Sequence, residues 1–316
     1  MSRWAKAPNV PFAVLLAAAL LVAEIVVQPS FAKPGNWTGE LAVLAPFAIL
    51  AMASTPSVLS GGIDLTIGPL STVINCVLVT WLLPHGWGPV ASVAVLLAMG
   101  AAVGAMNGLL IGKLRYQPVV ATLCGYFILA GVALNIASNP SSVSANWTVH
   151  LAGNIGFFPA PLITIATPLI LWALLGRTAY LRTLYAVGGD DACAYSAGMD
   201  VVRVRIIAYM FGGVLAAVGG IALTALIQTS SAAGSSQYAL LALAGVALGG
   251  TSFAGGRGGM FTSLLGAFCI FMITQLLSSA NVGSSYEQVV YGALLIVGVV
   301  VSTRIPRGLP LRRAAT

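Results

Sequence analysis

Two adjacent carboxylates, Asp190 and Asp191, stand between the pair Gly188-Gly189 and the single Gly198, with Ala192, Ala194 and Met199 around them. Paired acids can hold magnesium against a diphosphate, as a membrane prenyltransferase requires, but that chemistry takes several carboxylates converging from separate motifs. Asp200 is the only other acid nearby. The same pair can instead open a short helix. Acids at its start, helix formers inside and Gly198 just past its end predict about two turns over residues 190–197. A short capped helix set between two apolar segments is a surface for another protein, or else a solvated connector.

A third carboxylate, Asp64, lies in the run Gly61-Gly62-Ile63-Asp64-Leu65-Thr66-Ile67-Gly68-Pro69, which joins two apolar segments. A carboxylate at the edge of a membrane is costly unless it caps a helix, pairs with a cation or faces water. Asp64 and Thr66 can cap a helix that begins near Pro69, or contact a substrate or coupling machinery. A second glycine-rich joint, Gly249-Gly250-Thr251-Ser252-Phe253-Ala254-Gly255-Gly256-Arg257, echoes the first six segments later and raises the idea of an internal repeat. Its glycines invite comparison with a phosphate cradle, yet GxxxxGK[ST] is absent from the chain, so nucleotide is not bound in that way. Cys76, Cys124, Cys193 and Cys269 are scattered without metal-ligand spacing, and His85 and His150 fall in loops.

The elements that hold these motifs are apolar. The 316 residues are 59% hydrophobic and 7% charged, against roughly one-quarter charge in soluble domains. A span needs about 20 apolar residues. Ten candidates run near Val10 to Val27, Leu41 to Ser60, Pro69 to Leu83, Val90 to Gly112, Pro118 to Ala137, Pro161 to Gly176, Ile206 to Ile227, Tyr238 to Phe253, Met260 to Ser278 and Tyr286 to Ser302. With Arg3 and Lys6 in the cytoplasm, Lys113, Arg115, Arg177, Arg182, Arg203, Arg205, Arg257 and Arg304 to Arg313 fall on the same side, leaving Lys33 alone outside. The net charge of +7 is thus a topology signal and not a nucleic-acid footprint. The expectation is an all-α membrane protein: one domain over residues 1–316, a polytopic bundle of about ten transmembrane helices, some short or broken, with both termini cytoplasmic and a loop at about 177–205. The first segment resembles a secretory signal but is long for one and contains Glu24, so it is read as an uncleaved anchor.

Small residues form stripes within the spans, Gly100, Gly104 and Gly108 in one and Gly212, Ala216 and Gly220 in another, which read as close helix packing. Glu24, Asp64 and Glu287 lie near span edges and none sits mid-span, which argues against a proton- or sodium-driven secondary transporter. The spans offer hydroxyls and amides at Thr72, Asn75, Asn107, Thr122, Asn135, Thr224 and Gln275, groups that suit a neutral polyhydroxyl solute unless they bond to neighbouring helices.

Taken in order, the three motifs resemble those of the membrane-spanning permease subunits of bacterial ABC sugar importers, the family serving ribose, xylose, galactose and autoinducer-2 uptake. Residues 61–68 are similar to a GGIDLSVG signature, Tyr185-Ala186-Val187-Gly188-Gly189 with Gly198-Met199 to a YALGGN...SGI loop, and residues 248–258 to an LGGTSLSGGRG segment. Asp190 stands where the family usually has Asn, and Tyr195 where it usually has Arg, so this loop is the more acidic. The resemblance implies a division of labour. A periplasmic or extracellular binding protein delivers the sugar, two permeases, copies or paralogues, form the path, and a cytoplasmic ATPase binds ATP and magnesium, with no cofactor and no catalysis in this chain. It also implies a bacterial inner-membrane location. Gly188, Gly189, Asp190, Asp191, Ala192, Ala194, Gly198 and Met199 would couple to the ATPase. Gly61, Gly62, Asp64, Thr66, Gly68, Asn75, Asn107, Gly249, Gly250, Thr251, Gly255 and Gly256 would form the path or its signature turns. Another solute, such as a nucleoside or amino acid, is the alternative cargo.

Overall fold

The computed structural model describes residues 10–143, 146–156, 158–232 and 235–280, with Tyr286, Val289, Val290, Gly292, Ala293 and Ile296 beyond them. Helix α1 spans Val10–Val27 and leads through two short 3-10 turns into α2, Trp37–Leu59. Helix α3, Ile67–Val77, runs on through a π-helical turn at Leu78–Leu82, and α4 and α5 cover Pro89–Gly112 and Pro118–Ile136. Both α4 and α5 begin with proline after an extended residue, where the missing amide would have had no helical partner. A short α6, Val149–Ala152, and a hairpin of β1, Asn154–Ile155, with β2, Phe158–Pro159, precede α7, Ala160–Gly176. Then come α8, Ala179–Gly189; α9, Asp191–Ser196; α10, Val201–Ile227; α11, Ser235–Leu248; and α12, Met260–Ser279.

Five helices, α2, α4, α5, α10 and α12, are long and apolar enough to cross a membrane, and α7 with α8 makes a sixth candidate bent by 92°. Shorter apolar helices cover Ala13–Val27, Ile67–Leu82 and Gln237–Leu248. The segment expected at Tyr286 to Ser302 lies outside the described residues apart from the few named, as do the chain ends.

Three boundaries differ from expectation. The loop at 177–205 contains α8, whose Leu181, Leu184 and Val187 are buried on one face. Arg203 and Arg205 belong to the first turns of α10 and not to the loop, because Asp200 accepts the Arg203 amide at 2.9 Å and starts the helix early. Helix α11 stops at Leu248 because Gly250 takes φ +82°.

Helix α2 is the centre of the bundle, with every residue from Ala48 to Ser60 buried. It packs against α10, α11, α12 and α7. Pro46 and Pro56 interrupt its hydrogen-bond ladder; breaks of this kind are tolerated at membrane depth when protein surrounds them. The Thr55 hydroxyl lies 2.8 Å from that of Ser263 and ties α2 to α12.

The stripe of Gly100, Gly104 and Gly108 seats α4 directly on the backbone of α10. A Cβ at Gly104 would lie 2.3 Å from the Tyr209 carbonyl oxygen, and one at Gly100 would lie 2.3 Å from that of Gly213. Gly212 and Gly220 do the same towards α2 and α3, at Ala53 and Ser71. Without a hydrophobic drive between helices in lipid, this close approach supplies the packing. Gly104→Ala is expected to lower the thermal midpoint of the purified protein in detergent by about 3–8 °C. Gly131→Ala on α5, where a Cβ meets nothing within 4 Å, should leave the midpoint unchanged or slightly raised.

Candidate functional site

The three sequence motifs meet at one end of the bundle, and each contains the same helix stop. At the end of α2, Gly61 has φ +81°, with the Gly62 amide donating to Ser57 O and the Gly61 amide to Val58 O, both at 3.0 Å. At the end of α9, Gly198 has φ +78°, with the Met199 amide on Ala194 O at 3.1 Å and the Gly198 amide on Tyr195 O at 2.9 Å. At the end of α11, Gly250 has φ +82°, with the Thr251 amide on Val246 O at 3.1 Å and the Gly250 amide on Ala247 O at 3.0 Å. A left-handed residue just past the helix satisfies the last carbonyls, and glycine adopts that conformation without steric cost. The echo between the first and third motifs is therefore this shared cap.

Beyond the caps, the chains touch backbone to backbone. The Gly256 amide donates to the Leu59 carbonyl at 3.0 Å. Gly188 lies against the same carbonyl, so close that a Cβ would fall 1.7 Å from its oxygen and 2.7 Å from Gly256 N. At Gly255, a Cβ would fall 2.4 Å from Gly188 O and 2.9 Å from Gly61 N; at Gly256, 2.7 Å from Gly189 Cα. The Tyr185 hydroxyl donates to Gly258 O at 2.7 Å. On the far side of this turn Gly249 and Thr251 are buried, and a Cβ at Gly249 would lie 2.0 Å from Thr262 O. Glycines that the sequence presents as three separate turns thus form one node.

The short helix α9 rests on this node. Asp190 caps it by accepting the Cys193 amide at 2.9 Å, which holds the Asp190 carboxyl below the usual carboxylate range. The Asp190 carboxylate in turn pushes the Cys193 thiol up. Ala194 is buried in a cluster with Leu59, Leu184, Val187 and Val204, and Met199 packs on its edge. Asp191 pairs with Arg205 of α10 at 3.0 Å; half in solvent, such a pair contributes about 0.5 kcal/mol, enough to orient the helix but not to hold it. Asp190, Ala192, Cys193 and Tyr195 remain exposed. The expected helix is present, and Arg205, which the sequence offers only as a topology charge, is part of its mounting.

Asp64 is buried and turns the chain into α3. Its Oδ1 accepts the Thr66 amide at 2.9 Å and the Thr66 hydroxyl at 2.5 Å. Asn107 of α4 donates to that hydroxyl at 2.9 Å, and the Thr122 hydroxyl of α5 donates to Pro118 O at 2.8 Å while lying 3.1 Å from Ile63 O. Gly125 makes room for the Thr66 methyl, and the Tyr209 ring of α10 brings its hydroxyl over Gly62. Gly68 O receives the hydroxyls of Ser71 and Thr72 at 2.7 and 3.2 Å. Asp64 therefore braces the turn before α3, and the expected cap is not made: Thr66 stands at the helix start and no side chain accepts an amide of the first turn. Tyr209 carries no sequence signal, since an aromatic residue within a span is ordinary.

The polar groups expected along the spans are largely engaged inside the chain. Asn75 donates to Thr224 Oγ1 at 2.9 Å and to Thr229 O at 3.1 Å, and its Oδ1 accepts the Ser231 amide at 3.2 Å. Gln275 donates to Glu40 at 2.6 Å, and Asn135 is exposed.

The two adjacent glycines of the second motif separate cleanly. Gly188→Ala cannot be seated without moving the end of α2 and is expected to cost about 3 kcal/mol or more. Gly189→Ala, whose Cβ meets nothing within 4 Å, should be neutral. Detergent thermal midpoints of the two variants check this. A second readout is Cys193 alkylation near pH 8. Asp190→Asn keeps the cap but removes the charge that suppresses the thiolate, so alkylation should become severalfold faster.

Residues 38–299 match the family described as the branched-chain amino acid transport system / permease component. The ribose import permease protein RbsC of Bacillus subtilis (strain 168) is 33% identical over 291 residues, covering 90% of this chain and 90% of the relative. RbsC of Escherichia coli (strain K12) is 31% identical, covering 92% of each, and the fructose import permease protein FrcC of Rhizobium meliloti is 26% identical, covering 91% of this chain and 83% of its own length. No solved structure matches. On the strength of that match over most of its length, this multi-pass membrane chain belongs to the branched-chain amino acid transport system / permease component family.

Proposed function

We propose that this chain is the permease subunit of an ATP-driven, binding-protein-dependent importer in a bacterial inner membrane, and that its cargo is a neutral sugar. The observation that carries the mechanical part is the seating of α9 on the glycine node. A rigid two-turn helix, capped at both ends, stands exposed on one side and is fixed on the other to the ends of α2, α8 and α10. Movement imposed on α9 by a partner ATPase reaches the central helix α2 through the packing of Ala194 on Leu59 and through the preceding Gly188, whose backbone lies against the Leu59 carbonyl. Gly188, Gly189, Asp190, Asp191, Ala192, Ala194, Gly198 and Met199 make up this coupling surface. The signature turns at Gly61 to Gly68 and Gly249 to Gly256, with the buried amides of Asn75 and Asn107, act as the frame that conveys the movement.

The cargo is inferred from the relatives, which include import permeases for ribose, fructose and D-allose. Asn75, Asn107, Thr122 and Thr224 hydrogen-bond within the chain, and Asn107 keeps its Oδ1 without a partner. In this reading the bundle has about ten spans, both termini lie in the cytoplasm, and a secreted binding protein and a second permease complete the path.

In a Cys124→Ser background, an impermeant thiol reagent should label Cys193 in inside-out vesicles and not in intact cells. Reconstituted with its ATPase and binding protein, the complex should accumulate a pentose, hexose or related polyol on ATP addition. Gly198→Pro, which cannot adopt φ +78°, should abolish uptake while insertion persists. Uptake of a branched-chain amino acid with no sugar carried from a broad panel would overturn the cargo and leave the coupling intact.

A further inference from the structure

At the end of α2 remote from the glycine node, three helices bring oxygen atoms together around a buried carboxyl oxygen that has no hydrogen-bond partner. Glu24 of α1 is fully buried, and its Oε2 has no hydrogen-bond partner. Its Oε1 lies 3.5 Å from the Ser279 hydroxyl of α12, which donates to Gln28 Oε1 at 2.9 Å. One turn before Ser279, Gln275 donates to Glu40 Oε2 in the first turn of α2 at 2.6 Å. On two successive turns of α12, Ser279 therefore meets Glu24 and Gln28 while Gln275 meets Glu40, and Glu40, only half-buried, opens the junction towards solvent.

Among the described residues no cation pairs with either acid. Among the described residues the ion pair is that of Asp191 with Arg205, at the opposite end of α2, about 30 Å away along the helix. Lys33, in the adjoining loop, is exposed and joins no ion pair among the described residues. A buried carboxylate without a counter-charge is strongly unfavourable in a membrane protein. We propose that the α1–α2–α12 junction binds a divalent hard cation, Ca²⁺ or Mg²⁺. Glu24 Oε2 and the Glu40 carboxylate supply the charge, and Gln28 Oε1 and Ser279 Oγ supply neutral oxygens. The donor set fits that class: it is all oxygen, with no imidazole or thiolate to favour a transition metal. Among the described residues no three of His, Cys, Asp and Glu gather anywhere, so two carboxylates with neutral oxygens are the arrangement on offer. One such ion would cancel the charge of both acids and pin α1 and α12 to the start of α2.

The test uses the full-length protein, purified in detergent and stripped with chelator, with Ca²⁺ or Mg²⁺ titrated at constant ionic strength against choline chloride. The wild-type thermal midpoint should rise and saturate, by about 5 °C at a hundredfold excess over Kd. The rise should be absent in Glu24→Gln and in Glu40→Gln, and whichever ion acts at the lower concentration identifies the occupant. Equilibrium binding of radioactive calcium to wild-type protein, with magnesium as competitor, decides the matter should either variant fail to fold, and one ion per chain is expected. No shift with either ion together with no saturable binding would overturn the site, as would an undiminished shift in both variants. Sugar uptake is not the readout, so failure here leaves the transport reading standing, and failure of that reading leaves this site standing.

Discussion

The carbonyl of Leu59 is the contact on which the rest of this end of the bundle depends. It closes the central helix, accepts the Gly256 amide and lies against Gly188, so three segments distant in sequence share one backbone group. In lipid an unmatched carbonyl is expensive, and a group that can be matched only from across the bundle becomes a strong determinant of how helices assemble. The need for glycine follows from distance alone, since a methyl group at Gly188, Gly255 or Gly256 would occupy space already filled by backbone.

That contact also explains why α9 can be so short. A helix of two turns is not stable alone. Here its start is held by the Asp190 carboxylate, its end by Gly198 and its underside by Leu59, Leu184 and Val204. The result is a small rigid body rather than a flexible loop. It lies beside α8, which turns by 92° from α7 and gives the apolar floor on which the short helix stands.

Much of this was legible in the sequence. Five or six of the ten expected spans followed from hydropathy, the short helix from its acids and glycine, and the kinship from three ordered motifs. Convergence of the motifs was not, because a glycine's partner is decided by whatever backbone lies opposite, and composition carries no record of that. Helix α8 carries little signal in the sequence because its apolar face is only three residues long, Leu181, Leu184 and Val187. The amides were ambiguous for another reason. Asn75 and Asn107 could serve a solute or a neighbouring helix equally well, and the partners of their amide nitrogens, Thr224 and Thr66, come from distant sequence. Gln275 is the clearest instance, since its partner is an acid more than two hundred residues earlier.

The span of chain between Leu59 and Gly256 carries a consequence for biosynthesis. The amide that completes the central helix is translated nearly 200 residues after the carbonyl it must meet. At ~5–20 residues per second that is an interval of about 10–40 s. Throughout it α2 sits in the translocation machinery or the bilayer with its last carbonyl uncovered and the buried Asp64 still lacking its α4 and α5 surroundings for the earliest part. The end of the central helix therefore lacks this amide until the third glycine motif emerges, and a truncation upstream of Gly256 leaves the Leu59 carbonyl without it.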